Sequence, residues 1–143
     1  MRLVLAGEPA WLSDGILRAR EESPFKTDII LTGRVSFEDL RALYQGARLF
    51  AFPSLYEGFG LPLLEAFASG TPVLTADNSS LREVAGDGAL YVEAESETDI
   101  AEKIFQLWKD DRLRSSLCEK AKLELARFSW DKAARKTLDT ILD

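Results

Sequence analysis

The chain has 143 residues, of which 46% are hydrophobic and 29% charged, and its formal net charge is −6. This length suits one domain, and the acidic balance argues against nonspecific nucleic-acid binding, because a phosphate backbone requires clustered cations. The single cysteine, Cys118, excludes an internal disulfide, and the lack of histidine argues against a zinc cluster.

The apolar runs of the sequence are short. Residues 49–52 are one such run, far below the length that a transmembrane helix needs. A strand-like run at residues 3–7 follows Met1 almost at once, without the extended apolar segment of a secretory signal. These features predict a cytoplasmic protein with no transmembrane span.

Short β-rich runs alternate with helical patterns through most of the chain. The predicted strands are residues 2–6, 28–32, 49–53, 73–76 and 89–92. The predicted helices between them are residues 11–21, 37–45 and 62–69, with a short turn at 81–85. Such alternation is typical of an α/β fold, a Rossmann-like three-layer arrangement in which helices cover both faces of a parallel sheet of about five strands.

After the last strand the pattern changes to a C-terminal helical tail. Three successive helices are predicted at residues 98–109, 112–127 and 130–142. Ile100, Ile104, Leu107 and Trp108 recur at helical spacing, which indicates a face packed on the sheet. No repeat, low-complexity tract or linker marks a boundary, so residues 1–143 are predicted to form a single domain.

The segment from Phe52 to Glu65 carries the clearest chemical signal. It runs from the third predicted strand through a glycine-containing loop into a helix, and open α/β sheets bind ligands at this kind of position. The free N–H groups and the dipole at a helix N-terminus favour a phosphate. Gly58 and Gly60 permit a close approach of the backbone, and Pro62 lies where its missing N–H does no harm. The loop is therefore predicted to bind an anion.

Two acids bracket this loop, Glu57 before it and Glu65 about one turn into the helix. One carboxylate can accept hydrogen bonds from the two hydroxyls of a ribose, and the other from a sugar hydroxyl. The spacing fits a nucleoside-diphosphate sugar and indicates recognition rather than metal binding. Alternatively, Glu65 is an ordinary first-turn acid, Glu57 a solvated loop charge, and Gly58 and Gly60 plain turn residues.

Residues 53–73, PSLYEGFGLPLLEAFASGTPV, closely resemble the donor-site signature of retaining GT-B glycosyltransferases of the glycogen-synthase and sucrose-synthase type, glycosyl transferases group 1. The resemblance extends over nearly the whole chain, through residues 33–40, 43–44, 46–48, 80–86 and 128–130. It implies a donor-binding lobe that transfers a hexose from a nucleotide diphosphate sugar to an acceptor, without a metal or another cofactor.

The resemblance also implies roles for individual residues. Glu65 should hold the donor ribose, and Glu57 should lie beside the donor sugar in a catalytic or sugar-orienting role. The backbone that should contact the sugar and the diphosphate belongs to Gly58, Phe59, Gly60 and Leu61. The segment expected to pass the nucleotide base is Gly33, Arg34 and Val35, although the Arg34 side chain fits a solvated loop charge equally well.

Residues 128–130, Phe-Ser-Trp, resemble the closing segment of the family, whose final helix often crosses back to the other lobe. Packing of this helix within its own lobe is an equally good interpretation of the same residues.

The sequence departs from the family pattern at its start. Family donor lobes usually open with a further strand and helix and with a Gly-Arg and a Lys that bind the diphosphate, and neither these nor the N-terminal acceptor lobe is found ahead of Leu3. The chain alone is therefore expected to be inactive. Its five strands then either close in the flavodoxin-like order 2-1-3-4-5 or leave an open edge, at which another copy could form a homo-oligomer.

Two other function classes compete with a transferase. A non-catalytic or engineered α/β module could retain the donor-loop motif without activity. A receiver-type signalling domain would share the order 2-1-3-4-5, but it needs an Asp at the end of the third strand, where this chain has Phe52, Pro53 and Ser54. The sequence indicates neither the base, the sugar nor the acceptor.

Overall fold

A computed structural model describes residues 1–9 and 13–142. Its strands are β1 (Leu3–Ala6), β2 (Ile29–Gly33), β3 (Phe50–Phe52), β4 (Val73–Ala76) and β5 (Ala89–Val92). Its helices are α1 (Asp14–Glu22), α2 (Phe37–Gly46), α3 (Leu61–Ala68), α4 (Ser79–Ala85), α5 (Glu97–Lys109), α6 (Asp111–Leu125) and α7 (Trp130–Leu142), with a 3-10 turn at Lys26–Asp28. The α/β class and the helical tail are confirmed.

The chain divides into two compact units, Met1–Ala42 and Leu43–Asp143. In the first unit β1 pairs in parallel with β2, and the N–H of Gly7 donates to the carbonyl of Gly33 at 3.0 Å. The Arg20 Nε donates to the carbonyl of Ile29 at 3.0 Å, which ties α1 to β2. None of the described residues up to Ala42 is buried. The predicted start of the first helix, residues 11–12, lies outside the described residues.

In the second unit the strands follow the order β3-β4-β5, all parallel. All four residues of the central strand β4 are buried. Because successive residues of a strand face opposite sides, both faces of this sheet are covered, as expected for parallel strands in an α/β fold.

The core of the second unit forms where α5 and α6 meet the sheet. Leu74, Val92, Leu107 and Leu117 are buried together, and Ile100 and Ile104 pack against them. The predicted packing face of α5 is therefore confirmed for these residues. Trp108 lies at its edge, where the Arg48 guanidinium sits 5.0 Å from the ring centre.

Gly88 lets α6 approach the start of β5. A Cβ at this position would lie 2.8 Å from the Ala121 Cα and 3.0 Å from the Phe67 ring, closer than real atoms pack.

The helix α7 contrasts with this packing, because all of its residues are exposed. No helix in the described ranges is long and apolar enough to cross a membrane.

The five predicted strands exist, and they form a two-stranded sheet, β1-β2, and a three-stranded sheet, β3-β4-β5. Whether they close in the order 2-1-3-4-5 or leave an open edge stays a prediction. Whether the two units act as the single predicted domain stays a prediction.

Candidate functional site

The β3–α3 loop, residues 53–60, ends at a glycine that no other residue can replace without strain. Gly60 has φ 100°, in the left-handed region, and it precedes the first residue of α3. A Cβ there would lie 2.8 Å from the Leu81 Cδ2, a side chain that is fully buried. Gly58 differs, since a Cβ at its position would meet nothing within 4 Å. The loop is fixed at Gly60 and open at Gly58.

Backbone amides of the loop and of the start of α3 are free. Within the described chain, the N–H groups of residues 58–61 donate no hydrogen bond, and no side chain caps α3. Pro62, the second residue of α3, has no N–H to satisfy. Unpaired amides at a helix N-terminus carry partial positive charge, so this end of α3 can accept an anion.

Glu57 is held through both its side chain and its main chain. Its Oε1 accepts a hydrogen bond from the Ser54 Oγ at 2.8 Å. Its carbonyl oxygen accepts from the Ser79 Oγ at 2.8 Å and from the Ser80 Oγ at 2.9 Å, and its N–H donates to the Ser79 Oγ at 3.2 Å. Glu57 as a residue is half-buried, at the point where the loop meets the start of α4.

Asn78 completes this contact between the loop and α4. Its Nδ2 donates to the carbonyls of Ser54 and Leu55, both at 3.0 Å, while its Oδ1 is buried without a partner. No motif in the sequence assigns a role to Asn78, Ser79 or Ser80. The signal that indicates them is topological: β3 and β4 are adjacent and parallel, so the segments that follow them meet at one edge.

Glu65 lies in α3 and faces α2 through a buried phenol. The Tyr44 hydroxyl donates to the Glu65 Oε2 at 3.1 Å, and the Tyr44 side chain is only 7% exposed. The Thr71 Oγ1 donates to the Tyr44 carbonyl at 2.6 Å, and Phe50 packs edge-on against the Tyr44 ring. Burial, followed by the Glu65 carboxylate, raises the pKa of Tyr44, so the phenol stays a donor. No motif in the sequence assigns a role to Tyr44.

Gly33, Arg34 and Val35 belong to the first unit, whereas the loop and both acids belong to the second. Gly33 ends β2 with φ 64°, and its carbonyl accepts from the Gly7 N–H and from the Thr32 Oγ1. Arg34 is exposed and forms no ion pair with another described residue. Their predicted place beside the base stays a prediction.

The closing segment contacts the loop through one aromatic ring. Phe128 packs edge-on against Phe59 with ring centres 5.7 Å apart. The Ser129 Oγ accepts from the Lys132 N–H at 3.1 Å at the start of α7. Trp130 is 82% exposed. Phe128 therefore has a packing role within the second unit, whereas the helix that follows it, α7, is exposed throughout.

A cavity of about 520 Å³ opens beside the loop, at the carboxyl ends of β4 and β5. Its lining includes Leu55, Asp77, Asn78, Tyr91 and Glu93, but neither Glu57 nor Glu65. In the described part of the chain, no group of three or more candidate ligands could hold a metal ion.

Comparison with known proteins decides the family. The family model "Glycosyl transferases group 1" matches residues 1–124. The chain belongs to this family. The resemblance carried by the loop is thereby confirmed at the level of the family, and the fold is that of Rossmann-like GT-B glycosyltransferases.

Individual relatives in the family act on different molecules. The chain is 36% identical over 137 residues to O-antigen chain mannosyltransferase B of Escherichia coli, a match that covers 96% of this chain and 36% of that protein. It is 33% identical over 151 residues to D-inositol 3-phosphate glycosyltransferase of Corynebacterium kroppenstedtii, a match that covers 100% of this chain and 33% of that protein. The chain thus spans about a third of the length of these curated relatives.

Among solved structures, TarM from S. aureus in a complex that contains UDP superposes with a TM-score of 0.84 at 24% identity. The superposition covers 97% of this chain and 28% of the TarM chain. At this identity the likeness is one of fold.

Proposed function

We propose that this chain binds the donor in a retaining glycosyltransferase that transfers a hexose from a nucleoside-diphosphate sugar to an acceptor. The observation that carries the proposal is the run of free amides at residues 58–61, between two acids and at the N-terminus of α3. Membership of the glycosyltransferase family supports sugar transfer, and the UDP in the TarM complex supports a nucleoside diphosphate as the ligand.

The diphosphate is assigned to the free amides. Gly58 leaves room for a phosphate oxygen, because a Cβ there would meet no neighbour within 4 Å. The positive end of α3 adds attraction for the charge, and no metal ion is assigned to the site. Backbone donors of this kind are fixed before the ligand arrives, so they need little reorganisation.

The two acids are assigned to the hydroxyls of the donor. A carboxylate can accept about four hydrogen bonds, and Glu65 uses one of these positions for the Tyr44 hydroxyl. The remaining positions accept hydrogen bonds from the ribose hydroxyls. Glu57 lies beside the sugar, where its carboxylate orients the donor or stabilises charge during transfer. Gly33, Arg34 and Val35 are assigned to the base, as the resemblance implies.

Calorimetric titration of the chain and of Glu65→Gln with UDP, GDP and ADP tests the assignment. The amide oxygen of Gln can still accept from Tyr44, so the melting temperature should change little. Loss of a charge-assisted bond to ribose should cost about 1.5–3 kcal/mol, a weakening of roughly tenfold to a hundredfold.

Glu102→Gln is the matched control, because Glu102 is an exposed acid of α5. It should bind as the unchanged chain does. Equal affinity of the unchanged chain and Glu65→Gln for every nucleotide would remove Glu65 from the site. Binding of none of the three nucleotides would leave a non-catalytic module as the better description of the chain.

A further inference from the structure

The start of α4 is built against the backbone of the β3–α3 loop rather than against its side chains. Five hydrogen bonds join Asn78, Ser79 and Ser80 to main-chain atoms of residues 54–57. Two of them, from the hydroxyls of Ser79 and Ser80, converge on one carbonyl oxygen, that of Glu57. This carbonyl therefore points at the start of α4.

The direction of the Glu57 carbonyl fixes the direction of the next amide. The described peptide bonds are all trans, and in a trans peptide the carbonyl oxygen and the following N–H point to opposite sides. With the Glu57 oxygen turned toward α4, the Gly58 N–H points away from α4. That amide has no partner among the described residues, and a Cβ on Gly58 would meet nothing within 4 Å.

Ser79 adopts a costly backbone conformation to make this contact. Its φ of 43° is the only positive value at a non-glycine residue in the described chain. Left-handed geometry at such a residue costs roughly 1 kcal/mol or more, and it persists only where surrounding contacts hold it. The Ser79 hydroxyl supplies such contacts, since it bridges the N–H and the carbonyl of Glu57 and also accepts from the Ser80 N–H at 2.6 Å.

We propose that Ser79 and Ser80 are positioning residues, which turn the Glu57–Gly58 peptide so that the Gly58 N–H faces the donor diphosphate. The inference rests on the proposed function for its ligand, but the orientation of the peptide is a separate property of the chain. The two serines touch no ligand themselves. They act through the peptide that they hold.

Spectroscopy and titration together test this role. Labelling with ¹⁵N-glycine gives nine glycine amides, of which that of Gly58 reports the orientation of the peptide. In Ser79→Ala and Ser80→Ala the Gly58 resonance should shift, and the affinity for UDP or GDP should fall about tenfold for the pair of changes combined. Ser80→Thr keeps the hydroxyl and should restore both readouts.

Ser79→Gly separates positioning from folding. Glycine removes the hydroxyl but adopts a φ of 43° without strain, so this variant should melt no lower than Ser79→Ala while binding as weakly. Ser116→Ala, at an exposed serine of α6, is the control and should leave both the Gly58 resonance and the affinity unchanged.

The outcomes distinguish this inference from the proposed function. A Gly58 resonance and an affinity that stay unchanged in the double variant Ser79→Ala/Ser80→Ala overturn the positioning role and leave the donor site standing. If the unchanged chain binds no nucleoside diphosphate, the proposed function falls, and the Gly58 resonance alone decides whether the serines orient the peptide.

Discussion

The two glycines of the β3–α3 loop differ in what an added methyl group would meet, and they allow folding and binding to be separated. Gly60→Ala places a Cβ 2.8 Å from Leu81 at a φ of 100°, so it should lower the free energy of unfolding by roughly 1–3 kcal/mol. Gly58→Ala meets no neighbour and should melt nearly as the unchanged chain does, yet its methyl group occupies the space assigned to the diphosphate. Thermal melting and UDP titration of both variants check this.

The two variants should differ in which property they lose, nucleotide affinity or stability. Gly58→Ala should lose affinity with its stability kept, whereas Gly60→Ala should lose stability. Full nucleotide affinity in Gly58→Ala would place the diphosphate elsewhere.

At the residue scale, the sequence indicated the loop but not what holds it. Glu57, Glu65 and the glycines were found because their types and spacing suit a sugar nucleotide. The hydrogen bond from Tyr44 to Glu65 joins residues 21 positions apart in the sequence. The hydrogen bonds from Ser79 and Ser80 to Glu57 join residues 22 and 23 positions apart. Contacts between residues so far apart in the sequence depend on how the helices pack on the sheet. Local sequence patterns do not encode this packing.

At the scale of elements, strands were predicted more closely than helix starts. The bounds of β4 and β5 agree with the predicted residues 73–76 and 89–92, because short β-rich runs between turn residues are distinctive. The helix α4 was predicted from Leu81 but begins at Ser79. Its first residue, Ser79, has a left-handed φ that serine rarely adopts, so the backbone preference of serine favours a later start of the helix. The hydrogen bonds of Ser79 with the loop outweigh this preference.

Tyr91 joins α4 to β5, and we expect it to make the second unit sensitive to alkali. Its hydroxyl donates to the Gly86 carbonyl at 2.5 Å, and the Arg82 guanidinium lies 4.2 Å from its ring centre. Burial raises the pKa of Tyr91 from 10.0 to about 12, against the opposing charge of Arg82. The phenol of the unfolded chain thus ionises first, so its contribution to stability is complete below pH 10 and is lost as the pH rises toward 12.

Melting temperatures measured from pH 8 to 12 check this expectation. The unchanged chain should lose stability above pH 10, and Tyr91→Phe should show a shallower decline because one of the phenols with a raised pKa is gone. Tyr56→Phe is the control, because Tyr56 is 79% exposed. The pH dependence of its melting temperature should match that of the unchanged chain. Parallel curves for Tyr91→Phe and the unchanged chain would assign the alkaline loss to other groups, among them Tyr44, whose pKa is also raised.

At the scale of the whole molecule, the family and the α/β class followed from the sequence. The sheets β1-β2 and β3-β4-β5 each contain neighbours of the predicted order 2-1-3-4-5, whereas the order of all five strands depends on long-range packing that periodicity does not reveal, and it stays a prediction. Association with another copy through a sheet edge, the retaining mechanism and a cytoplasmic location stay predictions.

The 143-residue chain by itself is expected to bind a nucleoside diphosphate weakly and to transfer no sugar at a measurable rate. It spans about a third of the length of its curated relatives, and transfer requires an acceptor held against the donor. Much of the rate enhancement in such a reaction comes from orientation and from charges fixed around both reacting groups, so the donor loop alone should retain little of it. The measurement is to incubate the chain with UDP- and GDP-hexoses and simple acceptors, and to follow nucleotide release and glycoside formation. Robust transfer that Glu57→Ala abolishes would instead locate a complete catalytic centre within this chain or between its copies.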